Sequence, residues 1–162
     1  GRPRQAPQTG RNRRAVRVPL KSLATIGLLL MVLAVLGLYA VGSLLISSPP
    51  AIAVQICALA LMVWARVTFG RRSMHAAADP TAGGLVTTGP YRFIRHPIYT
   101  AACLLCLAGV VANFSLPAAA LWLLLFTGSM VRMLCEERLV TEMYPEYRQY
   151  ARITKRMVPY AF

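Results

Sequence analysis

From Pro97 to Val131 the chain carries no charged side chain, and no other feature restricts its fold as tightly. A helix rising 1.5 Å per residue crosses a bilayer core in ~20 residues, so these 35 uncharged residues are too many for one crossing. The turn-forming cluster Asn113, Phe114, Ser115 and Pro117 divides them into two expected spans, about 97–112 and 116–135. A second uncharged stretch, Leu23–Ile46, is 24 residues long and predicts a first transmembrane helix. After the turn signal Ser47-Ser48-Pro49-Pro50, residues 51–69 predict another, with Arg66 reaching toward the head groups. The expected fold is therefore all-α, a polytopic membrane bundle of about four transmembrane helices. Residues 1–22 are expected to form a basic, unstructured arm, and 23–162 a single membrane domain ending in an amphipathic segment over 136–162.

Hydrophobic residues make up 57% of the chain and charged residues 14%, a balance that fits lipid better than water. The 18 Lys and Arg far outnumber the 5 Asp and Glu, which on its own is compatible with nucleic acid, anionic lipid or topology signals. Position decides among these. Every basic residue lies before span one, between Arg66 and Arg95, or from Arg132 onward, and the turns at Ser47–Pro50 and Asn113–Ser115 contain none. The positive-inside rule then places both termini in the cytoplasm, with membrane lipids rather than nucleic acid as the partners of the charge. Leu23–Ile46 far exceeds the h-region of about 7–15 residues in a cleaved signal peptide. The short chain and lack of a retention signal point to a bacterial inner membrane, or to the endoplasmic reticulum if the source is eukaryotic. Cys57, Cys103, Cys106 and Cys135 all fall in expected spans and read as small apolar residues.

Polar residues at the ends of membrane helices are functional candidates, and two groups meet that description. One is Gly83-Gly84-Leu85-Val86-Thr87-Thr88-Gly89-Pro90-Tyr91-Arg92-Phe93-Ile94-Arg95-His96-Pro97-Ile98-Tyr99. Its glycines permit close backbone approach, and Pro97 at the first turn of a span leaves His96 near the N-cap, where helix N–H groups favour an anion. An anion-friendly pocket mouth and an ordinary interfacial belt both account for this group. The other group is Arg132, Glu136 and Glu137. Arg132 and Glu136 share a helical face and can form an i,i+4 ion pair. An acid pair near a helix C-terminus and anionic lipid also favours a bound cation. In the tail, Tyr147, Tyr150, Thr154 and Met157 recur at helical spacing opposite Arg148, Arg152, Lys155 and Arg156. They predict either an interfacial helix roofing the bundle or a free basic tail.

The order and spacing of Leu85-Val86-Thr87-Thr88-Gly89-Pro90-Tyr91, Arg95-His96-Pro97-Ile98-Tyr99, Arg132 with Glu136-Glu137, and Tyr144-Pro145-Glu146-Tyr147 resemble the isoprenylcysteine carboxyl methyltransferases and their relatives among phospholipid methyltransferases. The resemblance covers roughly 69–159. It implies a membrane methyltransferase, unlike the soluble Rossmann type. Its S-adenosylmethionine would be enclosed by the cytoplasmic ends of the last helices, the loop before them and the C-terminal segment. By motif, the implied cofactor contacts are Gly83, Gly84, Leu85, Val86, Tyr91, His96, Pro97, Ile98, Tyr99 and Glu136, with Glu137 beside it. Arg132 falls where the family places a catalytic, substrate-binding arginine. Ala101 stands where many relatives carry glycine, and a helical glutamine of some members is replaced near 76–78.

The activity this resemblance implies is transfer of methyl to the carboxylate of a lipophilic, prenylcysteine-like substrate entering from the bilayer. An anionic acceptor needs no general base, so positioning supplies most of the catalysis. Methylation of a phospholipid amine or small thiol is the alternative enzyme reading. A cofactor-binding or purely structural membrane protein is the non-enzymatic one.

Overall fold

Proline and serine set the helix starts. Pro49 and Pro50 open one helix and Pro97 another, each at a first-turn position where the missing N–H has no partner to lose. Ser115 Oγ accepts from the Ala118 N–H (3.3 Å) to cap a third. The computed structural model describes residues 9–44, 48–70 and 84–159. Its helices are α1 (Thr9–Ala40), α2 (Pro49–Phe69), α3 (Pro97–Ala112), α4 (Leu116–Met143) and α5 (Tyr147–Ile153), with a 3-10 turn at Gly89–Arg92 before α3. Among the described residues there is no strand, only an isolated parallel bridge between Ile94 and Lys155. The architecture is an all-α membrane bundle.

Pro19–Ala40, Pro49–Phe69 and Leu116–Met143 are long and apolar enough to cross a membrane. With 16 residues, α3 is ~24 Å long, short of a ~30 Å core. Several ends differ from expectation. Helix α1 reaches back to Thr9, because each residue added to an existing helix gains a hydrogen bond without a new nucleation step. Residues 9–22 are thus helical where an unstructured arm was expected. At its other end α1 stops at Ala40, before the expected 46. Gly42 sits at φ +72°, and Ser43 N–H donates to Leu38 O (2.9 Å) while Gly42 N–H donates to Tyr39 O (3.0 Å), the paired bonds of a Schellman stop.

Helix α4 continues past 135 to Met143, so the last two turns, which carry Glu136 and Glu137, belong to a rigid helix. Tyr147, Tyr150, Thr154 and Met157 are all buried, but α5 holds only the first two. Thr154 is extended, because the chain beyond it supplies carbonyls to the loop before α3. Arg95 N–H donates to Lys155 O (2.7 Å) and His96 N–H to Arg156 O (2.9 Å), which satisfies buried backbone groups that no helix could reach.

Helix α1 runs along α4 and α2 along α3. Outward-facing Leu29, Leu33 and Leu36 are each about 60% exposed, as a lipid-facing surface requires. Small residues bring the backbones together where apolar burial alone gives no preference. Gln55 Nε2 donates to Leu44 O and Leu105 O (both 3.2 Å), tying α2 to α3 and to the end of the α1 segment. Gly109 on α3 faces the Ser43 carbonyl so closely that any Cβ would overlap it. Gly109→Ala is therefore expected to destabilise the bundle by roughly 2 kcal/mol, the size of an overpacking penalty, read as a lowered thermal midpoint in detergent. An unchanged midpoint would mean that α3 and the α1 end do not touch here.

Candidate functional site

At the end of the bundle opposite Gly42 and Asn113, α3 begins, α4 projects and the C-terminal segment folds back. Pro97 starts α3 with His96 at its N-cap, which directs Tyr99 toward α4. On α4, Arg132 and Glu136 lie one turn apart and face Tyr99. Tyr99 Oη donates to Glu136 Oε1 (2.7 Å) and accepts from Arg132 Nε (2.7 Å). Arg132 Nε is also 3.0 Å from Glu136 Oε1, so the three side chains close a triangle. From α1 the Ala24 carbonyl accepts from Arg132 Nη1 (3.4 Å). The arginine is buried, and a charge in that position persists only with a counter-charge and satisfied donors. The Glu136 side chain keeps 23% of its exposure, which makes it the accessible acid of the group.

Consecutive helical residues point ~100° apart, and Glu137 accordingly faces a different set of partners. Its Oε1 is 2.9 Å from Arg95 Nε and 3.2 Å from His96 Nε2, and its Oε2 is 3.2 Å from Arg156 Nε. Arg95 Nη1 donates onward to Ala151 O (2.9 Å) and Thr154 O. Thr100 Oγ1 donates to Met157 O (2.9 Å). Glu137 thus ties α4 to the loop and to the C-terminal segment together. Tyr150 Oη donates to Tyr91 O (2.5 Å); burial pushes the Tyr150 phenol up to about 12, so it remains protonated and able to donate across the physiological range. Tyr91 packs on Phe69 with ring centroids 5.5 Å apart. Burial, then Tyr150, raise its phenol above the ordinary range against the pull of Arg66, and Glu136 is close enough to add to the rise.

The residues singled out in the sequence divide accordingly. Tyr99, Arg132 and Glu136 touch one another, and the His96 ring lies 5.8 Å from that of Tyr99. His96 Nε2 is committed to Glu137, which leaves Nδ1 for any ligand contact. Pro97 is fully buried and Ile98 half-buried. Gly84 adopts φ +84°, open to glycine and strained for other residues, and leads into Leu85 and Val86, both half-buried and without regular structure. Gly83 and 76–78 lie outside the described residues. Ala101 is fully buried. The sequence did not single out Arg156 or the Ala24 carbonyl as site partners, since both depend on distant segments coming together. Arg95 stands inside the Arg95-His96-Pro97 motif, and its partner on another helix was not readable from it.

No curated protein and no solved structure matched the chain. The family model described as phospholipid methyltransferase matches residues 51–147, which is 97 of the 162 residues and runs from α2 to the start of α5. It takes in Tyr91, Arg95, His96, Tyr99, Arg132, Glu136 and Glu137 and leaves out α1 and Arg156. Members of this family are membrane-bound methyltransferases that typically use S-adenosylmethionine. With its apolar helices and a polar cluster gathered at one end of them, the chain belongs to the phospholipid methyltransferase family.

Proposed function

We propose that the protein uses S-adenosylmethionine to methylate the carboxylate of a lipophilic, prenylcysteine-like acceptor drawn from the bilayer. The observation that carries the reading is the Arg132–Tyr99–Glu136 triangle, a fixed cation and a partly exposed acid bridged by one phenol.

The donor set fits the cofactor's chemistry. Glu136 can accept from its ammonium or ribose hydroxyls, and the faces of Tyr99 and Tyr91 suit a cationic sulfur. The irregular backbone of Gly84, Leu85 and Val86 can lie alongside it, with Pro97 and Ile98 as apolar wall, and His96 Nδ1 can meet its carboxylate. When bound, S-adenosylmethionine supplies a methyl group activated by the positive charge of its sulfonium. Glu136 would take the cofactor's ammonium while staying paired with Arg132. Arg132 would then hold the acceptor carboxylate by charge-assisted hydrogen bonds and turn one oxygen toward the methyl carbon, the new oxygen–carbon bond forming as the carbon–sulfur bond breaks and leaves neutral S-adenosylhomocysteine. Tyr99 keeps Arg132 and Glu136 at fixed separation, so little reorganisation accompanies transfer. No residue has to remove a proton, because the acceptor is already an anion. The apolar tail stays among the helices.

The family description favours a second acceptor class, a phospholipid amine. Against it, the Arg132 guanidinium repels the protonated head group in which such an amine reaches the site.

Purified protein in detergent, incubated with methyl-labelled S-adenosylmethionine and either prenylcysteine analogues or extracted phospholipids, tests the reading. Label released as methanol by mild base identifies a methyl ester, and base-stable label an N-methyl amine. Base-stable label alone would replace the carboxylate reading with the amine one. Absence of S-adenosylhomocysteine binding by calorimetry would remove both. Glu136→Ala is expected to weaken S-adenosylhomocysteine by about tenfold or more, the effect of losing one hydrogen bond to a charged group at ~1.5–3 kcal/mol.

A further inference from the structure

The acceptor-side arginine takes one of its supports from a helix outside the family-matched residues 51–147. Where α1 crosses α4, Gly27 and Gly128 meet backbone to backbone. A Cβ on Gly27 would lie 2.8 Å from Gly128 O, 3.2 Å from Arg132 N and 3.3 Å from Arg132 Cβ, and a Cβ on Gly128 would lie 2.7 Å from Gly27 O. These neighbours are main chain or fixed to it, so they can yield only if the helices part. One turn from Gly27 is Ala24, fully buried, whose carbonyl accepts from Arg132 Nη1 (3.4 Å). The guanidinium is therefore stretched between Tyr99 on α3, Glu136 on α4 and Ala24 on α1, and three anchors from three helices fix its plane.

We propose that Gly27 is a positioning residue for methyl transfer: it lets α1 approach α4 closely enough for the Ala24 carbonyl to aim the Arg132 guanidinium. The inference rests on the reading of Arg132 as the group that holds the acceptor. A residue larger than glycine at 27 pushes α1 outward, lengthens a hydrogen bond already near its limit and frees the guanidinium to turn about its bonds with Tyr99 and Glu136. The cofactor contacts assigned to the loop and Glu136 do not involve α1 and stay in place. Gly37, nearly three turns further along α1 and also against α4, supplies the contrast. There a Cβ would meet only the flexible Leu121 side chain, at 2.7 Å and 3.1 Å from its Cδ atoms, far along the helix from Arg132.

The test compares kcat with a prenylcysteine analogue, and S-adenosylhomocysteine affinity by calorimetry, for Gly27→Ala and Gly37→Ala in the full chain. Gly27→Ala is expected to lower kcat about tenfold, part of the ~100-fold that ~1 Å of misplacement can cause, with cofactor affinity kept within about twofold. Gly37→Ala should keep both. In an Arg132→Ala background Gly27→Ala should lower turnover no further, since the group through which it acts is gone. Equal kcat for the two glycine variants, or an undiminished tenfold loss without Arg132, would overturn the inference. Should Gly27→Ala fail to fold, Ala24→Gly keeps the carbonyl but loosens the turn bearing it. It is expected to lower kcat by about two- to threefold, and wild-type kcat in that variant would overturn the inference as well. Wild-type turnover in Arg132→Ala alone would instead sink the reading of Arg132, whatever Gly27 does.

Discussion

Arg132→Ala is expected to lower turnover by on the order of 100-fold, the loss seen when one preorganised donor to reacting charge is removed, with S-adenosylhomocysteine affinity changed by no more than a few fold. The arginine is buried between Tyr99 Oη, Glu136 and the Ala24 carbonyl, so its truncation removes the only positive charge in the triangle. Glu136 keeps the Tyr99 hydroxyl as donor (2.7 Å) and loses a neighbouring positive charge, so the contact we propose for it with a cationic cofactor should persist. Arg132→Lys retains the charge but loses the planar fork that grips a carboxylate, and should recover only part of the rate. The paired measurement is Glu136→Ala, where cofactor affinity falls first. Equal loss of cofactor affinity in Arg132→Ala and Glu136→Ala would refute this division of roles.

Glu137→Ala is expected to destabilise the fold by roughly 3 kcal/mol or more, because removing one partner of a buried ion pair leaves the other uncompensated. Here the buried group that loses its Glu137 counter-charge is Arg95, whose side chain is 8% exposed, and the Glu137 bonds to His96 and Arg156 are lost as well. The effect should be directional. Glu137 joins the C-terminal segment to the loop before α3, so protease cleavage after about residue 144 should accelerate before the membrane helices lose structure. Glu137→Gln keeps an acceptor for one donor and should fall between wild type and Glu137→Ala. Thermal unfolding in detergent with limited proteolysis reads both outcomes. A C-terminal segment as protected in Glu137→Ala as in wild type would show that the backbone pairing of Arg95 and His96 with Lys155 and Arg156 suffices alone.

The neighbouring glutamates show where reading the sequence stops. Glu136-Glu137 is legible as an acid pair at the end of an apolar run, and its i,i+4 relation to Arg132 follows from helical spacing alone. Which acid faces Tyr99 and which faces Arg95, His96 and Arg156 depends on the rotation of α4 against α3, and the smooth Leu, Ala and Val surfaces that surround them encode that rotation weakly. The tail makes the same point. Its four periodic residues, Tyr147, Tyr150, Thr154 and Met157, are all buried, yet the helix their spacing suggests ends at Ile153, because the carbonyls of Lys155 and Arg156 bind the loop instead.

The order of residues alone makes this chain a helical membrane bundle with its polar groups gathered at one end. In hydrocarbon an uncharged run must satisfy its own backbone, and only a helix does so within one segment. Proline starts, the Arg132–Glu136 spacing and the His96-Pro97 junction are local in the same sense, decided within a turn or two of chain. Packing in three dimensions settled the rest: that α1 ends at the Gly42 turn, that Glu137 ties together three distant segments, and that the Ala24 carbonyl reaches Arg132 across a crossing of two glycines. Each of these depends on how far apart and at what rotation two helices lie, and that is set by contacts summed over their whole interface rather than by the residues at either end of a bond.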